Sequence, residues 1–134
     1  MARMSKLDQT ISKLKAYIGE DHEEKKLIEK FNELTPIFKK MDNEFPKSGN
    51  VEHLVISYSD NKYVKIGSDK LELRLDKERN VIVVYNHKGM QATTLDEIVL
   101  QENELYCVGR GEKLTEDILS DYLNEVFGEI LTGE

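Results

Sequence analysis

Residues 71–85 read LELRLDKERNVIVVY, and this stretch carries the two clearest β-strand patterns in the chain. In residues 71–75 leucine alternates with a charged residue, which predicts a strand with one buried face and one face in water. Residues 81–85 are apolar at every position, which is typical of a strand in the middle of a sheet. The turn-forming residues 76–80 separate the two patterns. The stretch therefore predicts two adjacent strands of an antiparallel sheet.

The two-residue period extends in both directions, over residues 51–108. Further apolar residues alternate at Leu54, Ile56 and Tyr58, at Val64 and Ile66, and around Leu95–Leu100 and Leu105–Val108. Short clusters of turn residues, such as Ser59-Asp60-Asn61, separate these runs. Connections of this length require neighbouring strands to be antiparallel, so we expect a meander of about six strands.

The residues before the sheet have a helical period. One seam consists of Met4, Leu7, Ile11, Leu14 and Ile18, and a second of Leu27, Phe31, Leu34, Phe38, Met41 and Phe45. The short connector 19–22 predicts a helical hairpin, and two narrow seams would also fit a homodimer paired through these N-terminal helices. Pro36 interrupts the second seam, either starting a new helix after Thr35 or kinking one helix. Because the apolar phase continues across it, we favour a kink.

A last helix follows the sheet. Thr115 is in the position of an N-cap, and the residues after it form a broad apolar stripe that should pack on the sheet: Ile118, Leu119, Tyr122, Leu123, Val126, Phe127 and Ile130. The chain of 134 residues is therefore expected to form one α+β domain, 1–134. Its parts are a helical hairpin (1–45), an antiparallel sheet (51–108) and a C-terminal helix (115–131).

The charge distribution bears on function. The net charge is −7, and residues 111–134 hold one basic and seven acidic side chains. Such a surface repels phosphate groups, so we expect no nucleic-acid partner and no membrane partner. Cys107 is the only cysteine, and neither a signal peptide nor a membrane-spanning run is present. We therefore expect a cytoplasmic protein.

Four of these acids form a ladder at four-residue spacing on the last helix: Asp117, Asp121, Glu125 and Glu129. Like charges at this spacing repel, at a total cost on the order of 1 kcal/mol for three pairs. The helix dipole compensates for Asp117 but not for Glu129. The ladder indicates a surface for a cationic group, although a plain solvated helix face is the simplest interpretation. If the ladder does bind a cation, we favour a basic protein partner over a metal ion.

The remaining reactive side chains give no pattern of an active site. His22, His53 and His87 lack the spacing of metal ligands and are expected in a helix start, on a strand surface and in a hairpin turn. Cys107 shares a strand face with Leu105, which predicts a buried, inert thiol. Residues 109–111, Gly-Arg-Gly, are read as a turn in which Arg110 neutralises nearby acids. We predict no catalytic residue, no metal and no cofactor.

In general layout the chain resembles small uncharacterised proteins of Gram-positive bacteria. The features that carry this resemblance are the helical opening Lys6 to Phe45, the meander of short strands and the acidic closing helix. The resemblance extends over the whole chain and rests on no motif. It therefore implies no activity.

These observations favour a small cytoplasmic protein that is not an enzyme and that binds or regulates a basic protein, as an inhibitor or immunity-type factor does. Two alternatives remain. One is a small-molecule or nucleotide binder with a pocket between sheet and helices, contacted by Tyr63, Lys65 and Arg74. The other is an enzyme that uses Cys107 or a histidine.

Overall fold

Four helices and seven strands are present in the part of the chain that the computed structural model describes, residues 5–19 and 21–132, without the side chains of 16–19 and 21–23. The helices are α1 (Lys6–Gly19), α2 (Asp21–Asn32), α3 (Thr35–Glu44) and α4 (Glu116–Thr132). The strands are β1 (His53–Ser57), β2 (Asn61–Ile66), β3 (Asp69–Asp76), β4 (Val81–Lys88), β5 (Gln91–Gln101), β6 (Glu104–Cys107) and β7 (Glu112–Lys113).

The strands form one sheet in chain order, β1 to β7, and each strand is antiparallel to the next. This confirms the predicted α+β fold with an antiparallel meander and a C-terminal helix on the sheet. The seventh strand is β7, which has only two residues and pairs with the end of β6. Strand β4 is in the middle of the sheet, as its continuous apolar run predicted.

The hydrophobic core lies on one face of this sheet, under α2, α3 and α4. The alternation in β3 directs Leu71, Leu73 and Leu75 into it. From the helices the core receives Leu27, Phe31, Leu34, Phe38, Ile118, Leu119, Tyr122, Val126 and Phe127. The opposite face of the sheet has no helix on it among the described elements, and we call it the helix-free face.

Pro36 breaks the second helical segment, so the preference for a kinked helix was wrong. Helix α2 ends at Asn32 and α3 begins at Thr35. Proline has no N–H to donate to the carbonyl four residues earlier, which here belongs to Asn32. Leu34 between the helices nevertheless keeps helical backbone angles (φ −81°, ψ −13°), and for this reason the apolar phase continues across the break.

A buried lysine joins this break to the sheet. Lys62 on β2 has no exposed surface, and its Nζ lies 4.7 Å from the centre of the Phe31 ring. The ammonium is within hydrogen-bond distance of four oxygens: Asn32 Oδ1 (3.0 Å), Thr35 Oγ1 (3.1 Å), Ser57 Oγ (2.9 Å) and the carbonyl of Tyr58 (2.9 Å). None of the four is a carboxylate, and burial lowers the pKa of Lys62. Lys62 therefore connects α2, α3 and the β1–β2 hairpin.

Helix α1 lies outside this core. Its main neighbour among the described elements is α2, and the side chains of Leu7, Ile11 and Leu14 are exposed. The two N-terminal seams therefore do not cover each other, because the seam of α2 packs on the sheet. None of the described helices has both the length and the apolar composition required to cross a membrane.

Candidate functional site

Helix α4 presents its acidic ladder on the side away from the sheet. Its start is capped as predicted, because the Ile118 N–H donates to Thr115 Oγ1 (3.2 Å). Tyr122 and Val126 are fully buried on the inner side. The four ladder residues are all exposed: Asp117, Asp121, Glu125 and Glu129. The inner face of the helix thus fixes the direction in which the carboxylates point.

One ladder carboxylate is neutralised within the chain. Arg110 Nη2 lies 2.7 Å from Glu125 Oε2, and this hydrogen bond raises the pKa of Arg110. The sequence had indicated that Arg110 would neutralise acids close to its own turn. Its ion pairs are instead with Glu125 in the middle of α4 and with Asp96 on β5, whose Oδ2 lies 3.8 Å from Arg110 Nε. Among the described side chains, Asp117, Asp121 and Glu129 have no ion pair within 4.0 Å.

The regular helix is interrupted before the last ladder residue. Phe127 has non-helical angles (φ −110°, ψ 21°), and the Lys88 ammonium donates to the carbonyl of Val126. A side chain that occupies a helical carbonyl in this way is a known cause of a kink. Glu129 follows the kink and therefore departs from the straight line of the other three carboxylates.

A buried carboxylate, Asp96 on β5, holds α4 on the sheet. Its Oδ2 accepts a hydrogen bond from the Tyr122 hydroxyl (2.6 Å), and its Oδ1 accepts from the N–H groups of Gly109 (2.6 Å) and Glu97 (2.8 Å). A Cβ on Gly109 would be only 2.7 Å from Asp96 Oδ1, so the turn needs glycine to approach this closely. Arg110 follows Gly109 and lies over the Tyr122 ring, 5.0 Å from its centre.

Cys107 lies beside this cluster and is fully buried, as predicted from its strand face. Burial is the main cause that raises the pKa of its thiol. Burial also raises the pKa of Tyr122, with further contributions from hydrogen bonds to Asp96 and Cys107. A raised thiol pKa disfavours the thiolate, which is the nucleophilic form of cysteine.

The helix-free face carries a second polar cluster, which sequence reasoning missed. Residues that are paired between neighbouring strands share a face of the sheet. Three rows of side chains therefore lie across β2, β3 and β4. They are Lys65, Lys70 and His87; Tyr63, Glu72 and Tyr85; and Asn61, Arg74 and Val83. We call these nine residues the sheet grid. Lys70 lies over the Tyr63 ring and Arg74 over the Tyr85 ring, at 4.8 Å and 5.5 Å.

Glu72 is the centre of the sheet grid and is 1% exposed, although it points away from the core. Its Oε1 lies 2.7 Å from His87 Nε2, and its Oε2 accepts hydrogen bonds from Asn61 Nδ2 and from Arg74 Nη2 (2.9 Å). Burial acts to raise the pKa of Glu72, but hydrogen bonds from Asn61, His87 and Arg74 and the charge of Arg74 outweigh it and lower the pKa. Glu72 is thus held as a carboxylate.

The alternation in β3 had placed Glu72 in water, and this was wrong because flanking side chains cover it. The pocket expected between sheet and helices was also misplaced. Tyr63, Lys65 and Arg74 belong to the sheet grid on the opposite face, and a cavity between α3, α4 and β3 measures only about 10 Å³. That volume is at the limit for a single water molecule, so this cavity has no room for a small molecule.

The positions of the three histidines agree only in part with those predicted from the sequence. His87 is in strand β4 and bonded to Glu72, so its assignment to a hairpin turn was wrong. His53 begins β1, as a strand residue, but its ring is half-buried against Phe45, with a centroid distance of 6.0 Å. The side chain of His22 lies outside the described part of the chain.

A family model with the description Protein of unknown function (DUF3942) matches residues 7–131, which include every strand, the acidic ladder and the sheet grid. Comparisons with curated proteins and with solved structures find no match.

Replacing Glu72 by glutamine should destabilise the fold at pH 7 by about 2–4 kcal/mol, because Arg74 and His87 lose a buried charged partner. The folded-state pKa of Glu72 is lowered, so its contribution is present above its ordinary pKa of 4.5 and is lost as the pH falls below that value. Urea unfolding of the wild type and of Glu72→Gln at several pH values measures the difference.

A matched control is Glu78→Gln in the exposed turn after β3, which should leave stability nearly unchanged. A Glu72→Gln protein as stable as the wild type at pH 7 would contradict the assignment of a buried, ionised carboxylate.

Proposed function

We propose that this chain, which belongs to the family described as Protein of unknown function (DUF3942), is a cytoplasmic, non-enzymatic protein that binds or regulates a basic protein. The docking surface is the outer side of α4, which we call the acidic face: Asp117, Asp121, Glu125 and Glu129. The proposal rests on the exposed carboxylates of Asp117 and Asp121, which have no cation within 4.0 Å among the described side chains. An inhibitor or immunity-type factor acts through a surface of this kind.

The local geometry supports such a use of the helix. Tyr122 and Val126 hold the inner side of α4 on the sheet, so the acidic face is rigid before a partner arrives. A rigid surface loses less conformational entropy on binding than a flexible one. The ion pair between Arg110 and Glu125, at 2.7 Å, shows that a guanidinium can reach a carboxylate of this helix. An arginine of a partner would contact the other carboxylates in the same way.

Electrostatics supports the same proposal. Repulsion along the acidic face is relieved when a partner supplies positive charge, and opposite charges accelerate the encounter. Of the excess negative charge of −7, residues 111–134 contribute −6, since they contain one basic and seven acidic side chains. A basic partner would therefore be attracted to this end of the molecule.

Two further features support the non-enzymatic and cytoplasmic parts of the proposal. The one cysteine is buried, with a raised thiol pKa, so it is a poor nucleophile. A chain with one buried thiol is also compatible with a reducing compartment. The resemblance in layout implies a Gram-positive bacterium as the source.

Reversing two carboxylates, Asp121→Lys with Glu129→Lys, should weaken partner binding about tenfold without unfolding the domain. Both side chains are exposed and outside the Arg110 ion pair. The partner is first captured from a lysate of the source organism on immobilised wild-type chain and identified by mass spectrometry. The purified partner is then titrated calorimetrically against each variant at low and high salt.

The matched control reverses two exposed acids of α3, Asp42→Lys with Glu44→Lys. Each double variant carries the same net charge of −3, from −7 plus four. Only the α4 variant should bind the partner more weakly, and only its affinity should become less dependent on salt concentration. Capture of no basic protein, or equal affinity of the two variants, would count against the proposal.

A second candidate function is the binding of a small anionic molecule on the sheet grid. Lys65 and Lys70 are directly opposite each other across β2 and β3, and no carboxylate lies within 4.0 Å of either among the described residues. Like charges placed in this way destabilise a sheet, and an anion would relieve the repulsion. Tyr63 and Tyr85 would supply flat surfaces for an aromatic part of the ligand.

For this second candidate, a nucleotide or another anionic metabolite at 100 times its Kd should stabilise the fold by about 2.7 kcal/mol. A thermal-shift screen against a metabolite and nucleotide panel measures this. The double variant Lys65→Ala with Lys70→Ala should lose the rise in melting temperature. The control Lys39→Ala with Lys40→Ala, which removes two exposed lysines of α3, should keep it. The candidate would be removed if no compound raised the melting temperature of the wild type. It would also be removed if a compound raised the melting temperatures of the wild type and the Lys65/Lys70 variant equally.

A further inference from the structure

Helix α1 carries an apolar seam that the described part of the chain leaves uncovered. The side chains of Leu7, Ile11 and Leu14 are 67%, 51% and 54% exposed. By contrast, α2 packs Leu27 and Phe31 fully into the core. None of these three side chains of α1 therefore belongs to the domain core, although they keep a regular spacing of four and three.

We propose that this seam binds the same seam of a second copy of the chain, so that two α1 helices pair antiparallel in a homodimer. The spacing assigns Leu7 and Leu14 to heptad position d and Ile11 to position a. An isologous pair would bury the exposed seams of both copies at once.

The charges beside the seam select the antiparallel direction. Asp8 and Lys15 directly follow Leu7 and Leu14 and both occupy position e. In an antiparallel pair, positions e of the two helices face each other, whereas in a parallel pair each faces a position g. The positions g of α1 hold Thr10 and Tyr17, which are uncharged. Among the residues of α1, therefore, opposite charges come together in the antiparallel arrangement and not in the parallel one.

The same charges also select the register. When Ile11 packs on Leu14 of the second copy, Asp8 faces Lys15 of that copy, and the two-fold axis repeats both contacts. Shifting one helix by one heptad, so that Ile11 packs on Leu7 of the second copy, would place Asp8 opposite Asp8. Among the described side chains, neither Asp8 nor Lys15 has an ion pair within 4.0 Å in its own copy. Both are therefore available for the contact.

Helix α1 has 14 residues, so the paired surface is short. Interfaces at the lower end of the usual size range form transient complexes. The dimer is therefore expected to be in exchange with the monomer and to depend on protein concentration. It uses neither the acidic face nor the sheet grid and is independent of the proposed function.

Sedimentation velocity of the full chain over a concentration series tests this proposal. The wild type should change from monomer to dimer as the concentration rises. Asp8→Lys alone and Lys15→Asp alone should each raise the dimer Kd about tenfold, because both ion pairs become repulsive contacts. The double variant Asp8→Lys with Lys15→Asp should restore the wild-type Kd, and Ile11→Asp should abolish the dimer.

All of these residues are exposed, so circular dichroism and the melting curve should show each variant folded. A wild-type chain that stays monomeric at every concentration would overturn the proposal. A dimer that survives Ile11→Asp would also overturn it, as would a double variant no tighter than the single ones.

Discussion

The carboxylate of Asp96 connects three parts of the molecule that are distant in sequence. Asp96 lies on β5. It accepts a hydrogen bond from the N–H of Gly109, in the turn after β6, and another from the hydroxyl of Tyr122 on α4. A carboxylate that is only 4% exposed must be satisfied in this way, because an unpaired buried charge costs several kcal/mol, roughly 3–5. This requirement fixes α4 on the sheet, directs its acids outward and brings Arg110 to Glu125.

Because the helices that the structure describes pack on one face of the sheet, polar residues on the two faces are satisfied differently. Lys62 points into the covered face and depends on oxygens from α2, α3 and the first hairpin. Glu72 points to the helix-free face and is satisfied by neighbours within the sheet itself. Burial of the core on one side thus leaves three features of the described structure outside it: the acidic face, the sheet grid and the seam of α1.

The sequence predicted the elements well, because local patterns determine them. The two-residue period and short turns led to an antiparallel meander with Val81–Tyr85 at its centre. A break and a kink at Pro36 could not be distinguished, since Leu34 keeps helical angles in either case. The site was harder to predict, because the burial of Glu72 depends on its pairing with Tyr63 and Tyr85, and the Arg110 to Glu125 pair depends on how α4 docks.

Hydrogen exchange of the Tyr122→Phe variant tests most directly whether Asp96 holds α4 in place. Loss of one buried hydrogen bond to a charged group costs about 1.5–3 kcal/mol, enough to accelerate local opening about tenfold or more. The amides of residues 118–127 should therefore exchange faster, while β1 to β3 keep wild-type protection, and the exposed control Tyr58→Phe should change nothing. Unchanged protection of α4 in Tyr122→Phe would contradict this account of how the acidic face is presented.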